Sequence, residues 1–176
     1  MAVNTPPSNS REVLLSQDPL GLEPIPEDNR QPFLRFRFSG KDQALLPLED
    51  TVKILQLDSL AILPVPDMPT WLVGICNWRG DILWLVDFNI LIGETSLLHQ
   101  ISAWEKPMAI VIQSGERSIG LAVEQVDDIE LLQPDSIHQP QDFYSPRLAP
   151  LIAGYLSEHR GIILDAKAIV ECSLQA

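Results

Sequence analysis

Residues Pro66 to Gly93 read PDMPTWLVGICNWRGDILWLVDFNILIG, the most apolar and most patterned run in the chain. Two arms, Trp71–Trp78 and Ile82–Phe88, flank the turn-forming Arg79-Gly80-Asp81. In the second arm Ile82, Trp84 and Val86 alternate with Leu83, Leu85 and Asp87, and nearly every position is apolar. That pattern predicts a strand covered on both faces, as inside a closed barrel. Gly80 can supply the positive φ that a tight hairpin turn requires. Arg79 beside it then places a permanent positive charge at the hairpin tip.

The rest of the chain is consistent with one β-rich domain. Its 176 residues suffice for a full core, and 45% hydrophobic with 20% charged residues is a globular composition. Phe33-Leu-Arg-Phe-Arg-Phe38 alternates Leu34, Phe36 and Phe38 with Arg35 and Arg37, a half-exposed strand followed by a turn and a return arm. Leu48-Glu-Asp-Thr-Val-Lys-Ile-Leu-Gln-Leu57 reads as a short loop followed by a strand, with Val52 and Ile54 opposite Lys53 and Leu55. Prolines 64, 66 and 69 bracket an extended connection, and Trp71 to Gly74 is expected to form one helical turn before the hairpin. After a polar connection over 92–106, Pro107–Gln113 and Ser118–Val126 read as strands around a Ser-Gly-Glu-Arg turn, with Asp127–Leu132 extended. A proline-rich loop follows. Leu151–Asp165 leads into Ala166–Val170, a last helical turn or two. Residues 1–32, rich in Pro, Ser, Asn and acids, are expected to be a mobile tail, with Val13–Leu15 its one apolar cluster.

Leu151-Ile-Ala-Gly-Tyr-Leu-Ser-Glu-His-Arg-Gly161 echoes the deciding stretch. In both, a glycine precedes an Arg-Gly pair and an apolar arm: Gly74 with Arg79, Gly154 with Arg160. This weak repeat suggests two similar β units, and short strands with Gly-rich turns suit barrels.

Lys+Arg 12 against Asp+Glu 24 gives a formal net charge of −12. Phosphate backbones and anionic lipid repel such a chain, so neither nucleic acid nor a membrane surface is an expected partner. The start, MAVNTPPSNS, lacks the basic and apolar regions of a signal peptide, no apolar run reaches the ~20 residues that span a bilayer, and Cys76 and Cys172 make no disulfide framework. A cytoplasmic protein is expected. His99, His138 and His159 fall in predicted loops without metal-ligand spacing, and no Gly-rich phosphate loop is present. Asp87 and Asp165 each close a strand and are expected to cap the turn that follows. Glu124, Asp127 and Asp128 read as a solvated acidic edge. No cofactor, metal or catalytic residue is assigned. Arg79-Gly80-Asp81 also spells a cell-adhesion tripeptide, which a cytoplasmic chain would not use.

Asn77-Trp-Arg-Gly-Asp-Ile-Leu-Trp-Leu-Val-Asp-Phe88 resembles the N-L-R-G-x-(I/V)-(I/L)-P-(I/V)-(I/V)-D-L stretch of the chemotaxis coupling-protein (CheW-like) domain, and Val65–Cys76 resembles that family's V-P-x-(A/M)-P-x-(F/Y)-(I/V)-x-G-(I/V)-x. The resemblance implies an all-β fold of two small five-stranded barrels packed together, with short helical turns. It implies a CheW-like domain over 33–172, its subdomains roughly 33–92 and 106–172 with crossing ends. It implies a non-catalytic adaptor that couples a chemotaxis-type histidine kinase regulatory domain to the cytoplasmic tip of a methyl-accepting receptor, in taxis or type IV pilus motility.

The same resemblance implies that Arg79 serves protein coupling, with Asn77, Trp78, Gly80 and Asp81 around it. The family's usual companion is a glutamate on an earlier strand. The matching position here is Lys53, and two cations cannot pair, so Asp81, Glu49 or Asp50 is expected to take the acid's place. Trp78 stands where the family has Leu, and Trp84 where it often has Pro. Val123, Val126 and Ile129 resemble the family's G-x-x-V-D-x-V-x-x-(I/V) strand, whose region helps form a receptor-binding groove; Val123 fits a core position equally well. A ligand-binding β-barrel, or a small barrel enzyme with a pocket among Trp71, Trp78, Trp84 and Trp104, is the rival reading. It requires a concave cavity and a titratable group of shifted pKa. A scaffold that binds copies of itself is the third.

Overall fold

The computed structural model describes residues 28–39, 42–96, 108–140, 144–157 and 161–174. Most of the expected tail, together with His99, Trp104, His159 and Arg160, lies outside the described residues. Eleven strands are described: β1 Gln31–Ser39, β2 Asp42–Pro47, β3 Thr51–Gln56, β4 Leu72–Trp78, β5 Asp81–Asp87, β6 Met108–Ser114, β7 Arg117–Val123, β8 Gln125–Leu132, β9 Ile137–His138, β10 Ile152–Leu156 and β11 Ile162–Leu164. Two α-helices are described, α1 Phe88–Ile92 and α2 Ala166–Leu174, and each follows an aspartate. The fold is all-β, as expected. Trp71–Gly74 does not make a helical turn, because β4 starts at Leu72.

The strands form two sheets, β8-β1-β2-β11-β10-β9 and β3-β6-β7-β5-β4. Neither ladder closes on itself, which corrects the expectation of closed five-stranded barrels. In the second sheet Leu57, after β3, is buried against that sheet's inner face, and Leu63 bonds to Ile75 on β4 in both directions, 2.8 and 2.9 Å. A loop therefore joins the two edges where a closed barrel would have a ladder.

The two sheets follow one plan. Reading each order from its left edge, β8, β1, β2, β11, β10 and β9 match β3, β6, β7, β5, β4 and the Leu63 bridge. Each contains one parallel pair, β2 with β11 and β5 with β7. Each hairpin slips register at its glycine, between Leu72 and Gly74 and between Ile152 and Gly154. The repeat legible in the sequence is thus a repeat of structure, and each sheet borrows a hairpin from the other half of the chain.

Period-two alternation sorts the side chains into separate cores. Val86, Ile110, Ile112, Ile119 and Leu121 point into a core shared with Leu34, Phe36 and Phe38 of the first sheet and Ile169 and Val170 of α2. Leu83, Leu85, Val111 and Ala122 point the other way into a private core. Phe33, Leu45, Leu156 and Ile163 do the same for the first sheet. The predicted double coverage of the deciding arm holds from Leu83 onward, whereas Ile82 is 68% exposed.

Asp87 is fully buried. It accepts hydrogen bonds from the amides of Asn89 (3.0 Å) and Ile90 (3.3 Å) and from Ser96 Oγ (2.9 Å), capping α1 as the sequence predicted. Asp165 accepts from the Ala168 amide at 3.0 Å. Asp87→Ala orphans buried donors at a helix start, so urea unfolding should show a loss of about 2 kcal/mol, and Asp87→Asn about half of that.

Candidate functional site

The β4–β5 hairpin turns in two residues, with Trp78 paired to Asp81. Arg79 has φ +56° and Gly80 φ +90°, the doubly positive mirror-image turn that matches strand twist. Gly80 occupies that region freely; arginine does not, because its Cβ crowds the following carbonyl. The Asn77 side-chain oxygen accepts the Gly80 amide at 3.3 Å, tying the turn down. Asn77 thus acts on the backbone of the tip.

Arg79 is exposed, and its guanidinium carbon lies 4.9 Å from the centre of the Trp78 ring. Among the described residues it has no ion pair. Asp81, Glu49 and Asp50 do not take the role expected of an acid partner; half-buried Trp78 does so by its ring face. Trp78 also packs on the private core of its sheet, which fixes the ring. Lys53 is exposed on β3.

β3 forms where the sequence reading placed a strand, and Val52 and Ile54 on it are 38% and 36% exposed. The reason is position: β3 is a sheet edge, and among the described residues only β6 pairs with it. Ile54 lies opposite Ile110, so it shares the face that forms the common core. The matching edge of the other sheet is β8. There Val126 lies opposite Phe36 and Ile129 opposite Leu34, again on the common-core face. Val126 is half-buried against that core, and Ile129 is 55% exposed. Val123, at the end of β7, is fully buried within it. Two structurally equivalent edges therefore rim one core with aliphatic side chains. Of these, Ile54 was missed because alternation reports a face and not an edge.

The other face of β8 is polar. Arg35 pairs with Glu130 and donates to Gln43 at 2.8 Å, and Arg37 lies 3.5 Å from Asp127. A shallow groove of about 430 Å³ here is lined by Arg30, Arg35 and residues 127–131, and none of the described tryptophans, Trp71, Trp78 and Trp84, belongs to it. Among the described residues no three His, Cys, Asp or Glu side chains gather as a metal-holding group. Burial pushes the Cys76 thiol up, the opposite of what a nucleophile needs. Asp50 is also raised, by partial burial and then by Glu49 and Asp165. Both cysteines are free. No helix among the described residues is long and apolar enough to cross a membrane.

The family model of the CheW-like domain matches residues 32–172. The chemotaxis protein CheW of Rhizobium meliloti is 33% identical over 86 residues, 47% of this chain and 50% of that protein, so the match spans half the length of that relative. The chemotaxis protein CheW of Klebsiella aerogenes is 21% identical over 143 residues, 80% of this chain and 81% of that one. A crystal structure of the scaffolding protein TtCheW from Thermoanaerobacter tengcongensis superposes with a TM-score of 0.63 at 18% identity, covering 77% of this chain and 87% of that chain. That likeness supports the fold.

Proposed function

The chain belongs to the CheW-like domain family, and on that premise we propose that it is a non-catalytic adaptor of a chemotaxis-type signalling system in the cytoplasm, joining the helical tip of a methyl-accepting receptor to the regulatory domain of a histidine kinase. The observation that carries this reading is the pair of equivalent edges. Ile54 on β3 and Val126 and Ile129 on β8 extend the common core to the surface as an apolar margin, the chemistry that seats the apolar face of a helix. The receptor docks there, above buried Val123. The kinase domain docks at the hairpin tip, on Arg79, with Trp78 and Asp81 beside it. Coupling then needs no reaction: one rigid body holds two partners at a fixed geometry, and a displacement of one biases the state of the other.

Purified receptor tip and kinase regulatory domain, taken from the operon that encodes this chain, should form a ternary complex with it. Ile129→Asp, alone or with Ile54→Asp, should weaken receptor binding by at least about tenfold, because a charge replaces buried aliphatic contact. Kinase binding should stay within about twofold of the wild type. Failure of the wild-type chain to bind either partner would end the adaptor reading.

A further inference from the structure

We propose that Trp78 is the positioning residue for Arg79 and that the hairpin tip it creates selects a carboxylate on the kinase-side partner; this rests on the adaptor reading for the partner but not for the positioning. Three observations carry it. Arg79 stands in a backbone conformation that arginine tolerates poorly, φ +56°, so turn formation does not account for the residue. Its guanidinium lies over the Trp78 ring at 4.9 Å. Among the described residues no acid pairs with it, although the chain as a whole carries a net −12.

The geometry explains how the tip would work. A guanidinium held over a ring face, as the Arg79 carbon is at 4.9 Å, is attracted by the ring without an acid taking up its N–H donors. An acid partner within the chain would consume those donors. The stack limits the swing of a long side chain at no cost in donors, so less freedom is lost when a partner binds. The group that best satisfies a free guanidinium edge is a carboxylate, bonded through two parallel N–H donors. Trp78 can hold this role because its ring is anchored in the private core while Arg79 is exposed.

The positioning is tested without any partner. In the free protein, NMR should show the Arg79 δ-methylene protons shifted upfield by the indole ring. The shift should vanish in Trp78→Leu and persist in part in Trp78→Phe, which keeps a ring. Binding of the kinase regulatory domain tests the selectivity. Trp78→Leu should weaken it about three- to fivefold, the scale of one exposed cation–ring contact, and Trp78→Phe less. In an Arg79→Ala background Trp78→Leu should add less than about twofold, since the tryptophan acts through the arginine. Arg79→Lys should retain more binding than Arg79→Gln. An unshifted Arg79 resonance in the wild type, or an equal loss from Trp78→Leu with and without Arg79, overturns the positioning role. Arg79→Gln binding as tightly as wild type overturns the carboxylate. A wild-type chain that shows the ring shift but binds no kinase domain refutes the adaptor reading and the carboxylate together, and leaves the stack established.

Discussion

Arg79→Glu is expected to weaken association with the kinase regulatory domain by about a hundredfold or more while leaving the fold intact. The size follows from what is exchanged. Removing one member of a hydrogen-bonded charge pair at an interface costs about 2–5 kcal/mol, much of it from the partner left unmatched; a hundredfold is about 2.7 kcal/mol. Reversal adds repulsion against the same carboxylate. The fold is indifferent because Arg79 is exposed and, among the described residues, makes no ion pair, lying instead over the Trp78 ring. A sharper version separates binding from stability. Arg79→Asn or Arg79→Gly suits the positive φ better, so each should raise unfolding stability by up to about 1 kcal/mol and still lose binding as severely as Arg79→Ala. Titration calorimetry and urea unfolding on the same variants measure both. Variants at Arg79 that destabilise the fold by more than about 1 kcal/mol, or that bind like wild type, would contradict this account.

On the adaptor reading stability and binding pull in opposite directions at that tip, because the arginine proposed to meet the partner sits at a positive φ that suits Asn or Gly better. The turn at Arg79-Gly80-Asp81 was legible because Gly80 offers the positive φ that a tight hairpin turn requires, whereas the Asn77 side-chain bond to the Gly80 amide was not. The buried arm after Leu83 was legible from its unbroken apolar run. The cap at Asp87 was legible too, but α1 itself was not: Phe88-Asn-Ile-Leu-Ile92 continues the apolar run, and only the capping bonds show where the strand stops. Alternation of Val52 and Ile54 with Lys53 and Leu55 located a strand but not its place at a sheet edge, since burial there depends on a neighbour that local pattern cannot reveal. The closed barrels failed for the same reason. A pattern of short strands is equally satisfied by a ladder and by a loop that bridges two edges, as the segment from Leu57 to Leu63 does. Contacts made by the ends of long side chains, such as Arg79 on Trp78, leave no periodic trace at all.

That bridging loop explains the second large effect expected, at Gly74. A Cβ built there would lie 2.4 Å from the carbonyl oxygen of Leu63 and 3.0 Å from its carbonyl carbon, on a backbone with φ +153°. The obstacle is backbone, so rotamer changes cannot relieve it. Gly74→Ala should push the Leu63 segment off β4, break both of its hydrogen bonds to Ile75, and open the private core that Leu57 seals. The expected cost is about 3 kcal/mol, the sum of overpacking and local strain. Gly154 is its counterpart in the other sheet: a Cβ there meets Ile137 Cγ2 at 2.7 Å and the His138 oxygen at 2.8 Å. Part of that clash is a movable side chain, so Gly154→Ala should cost less, about 2 kcal/mol. Gly80→Ala meets nothing within 4 Å and should cost only the price of its positive φ, about 1 kcal/mol. Urea unfolding of the three variants tests the order Gly74, Gly154, Gly80. A Gly74→Ala loss no larger than that of Gly80→Ala would mean that the Leu63 bridge moves freely and does not hold the sheet edge.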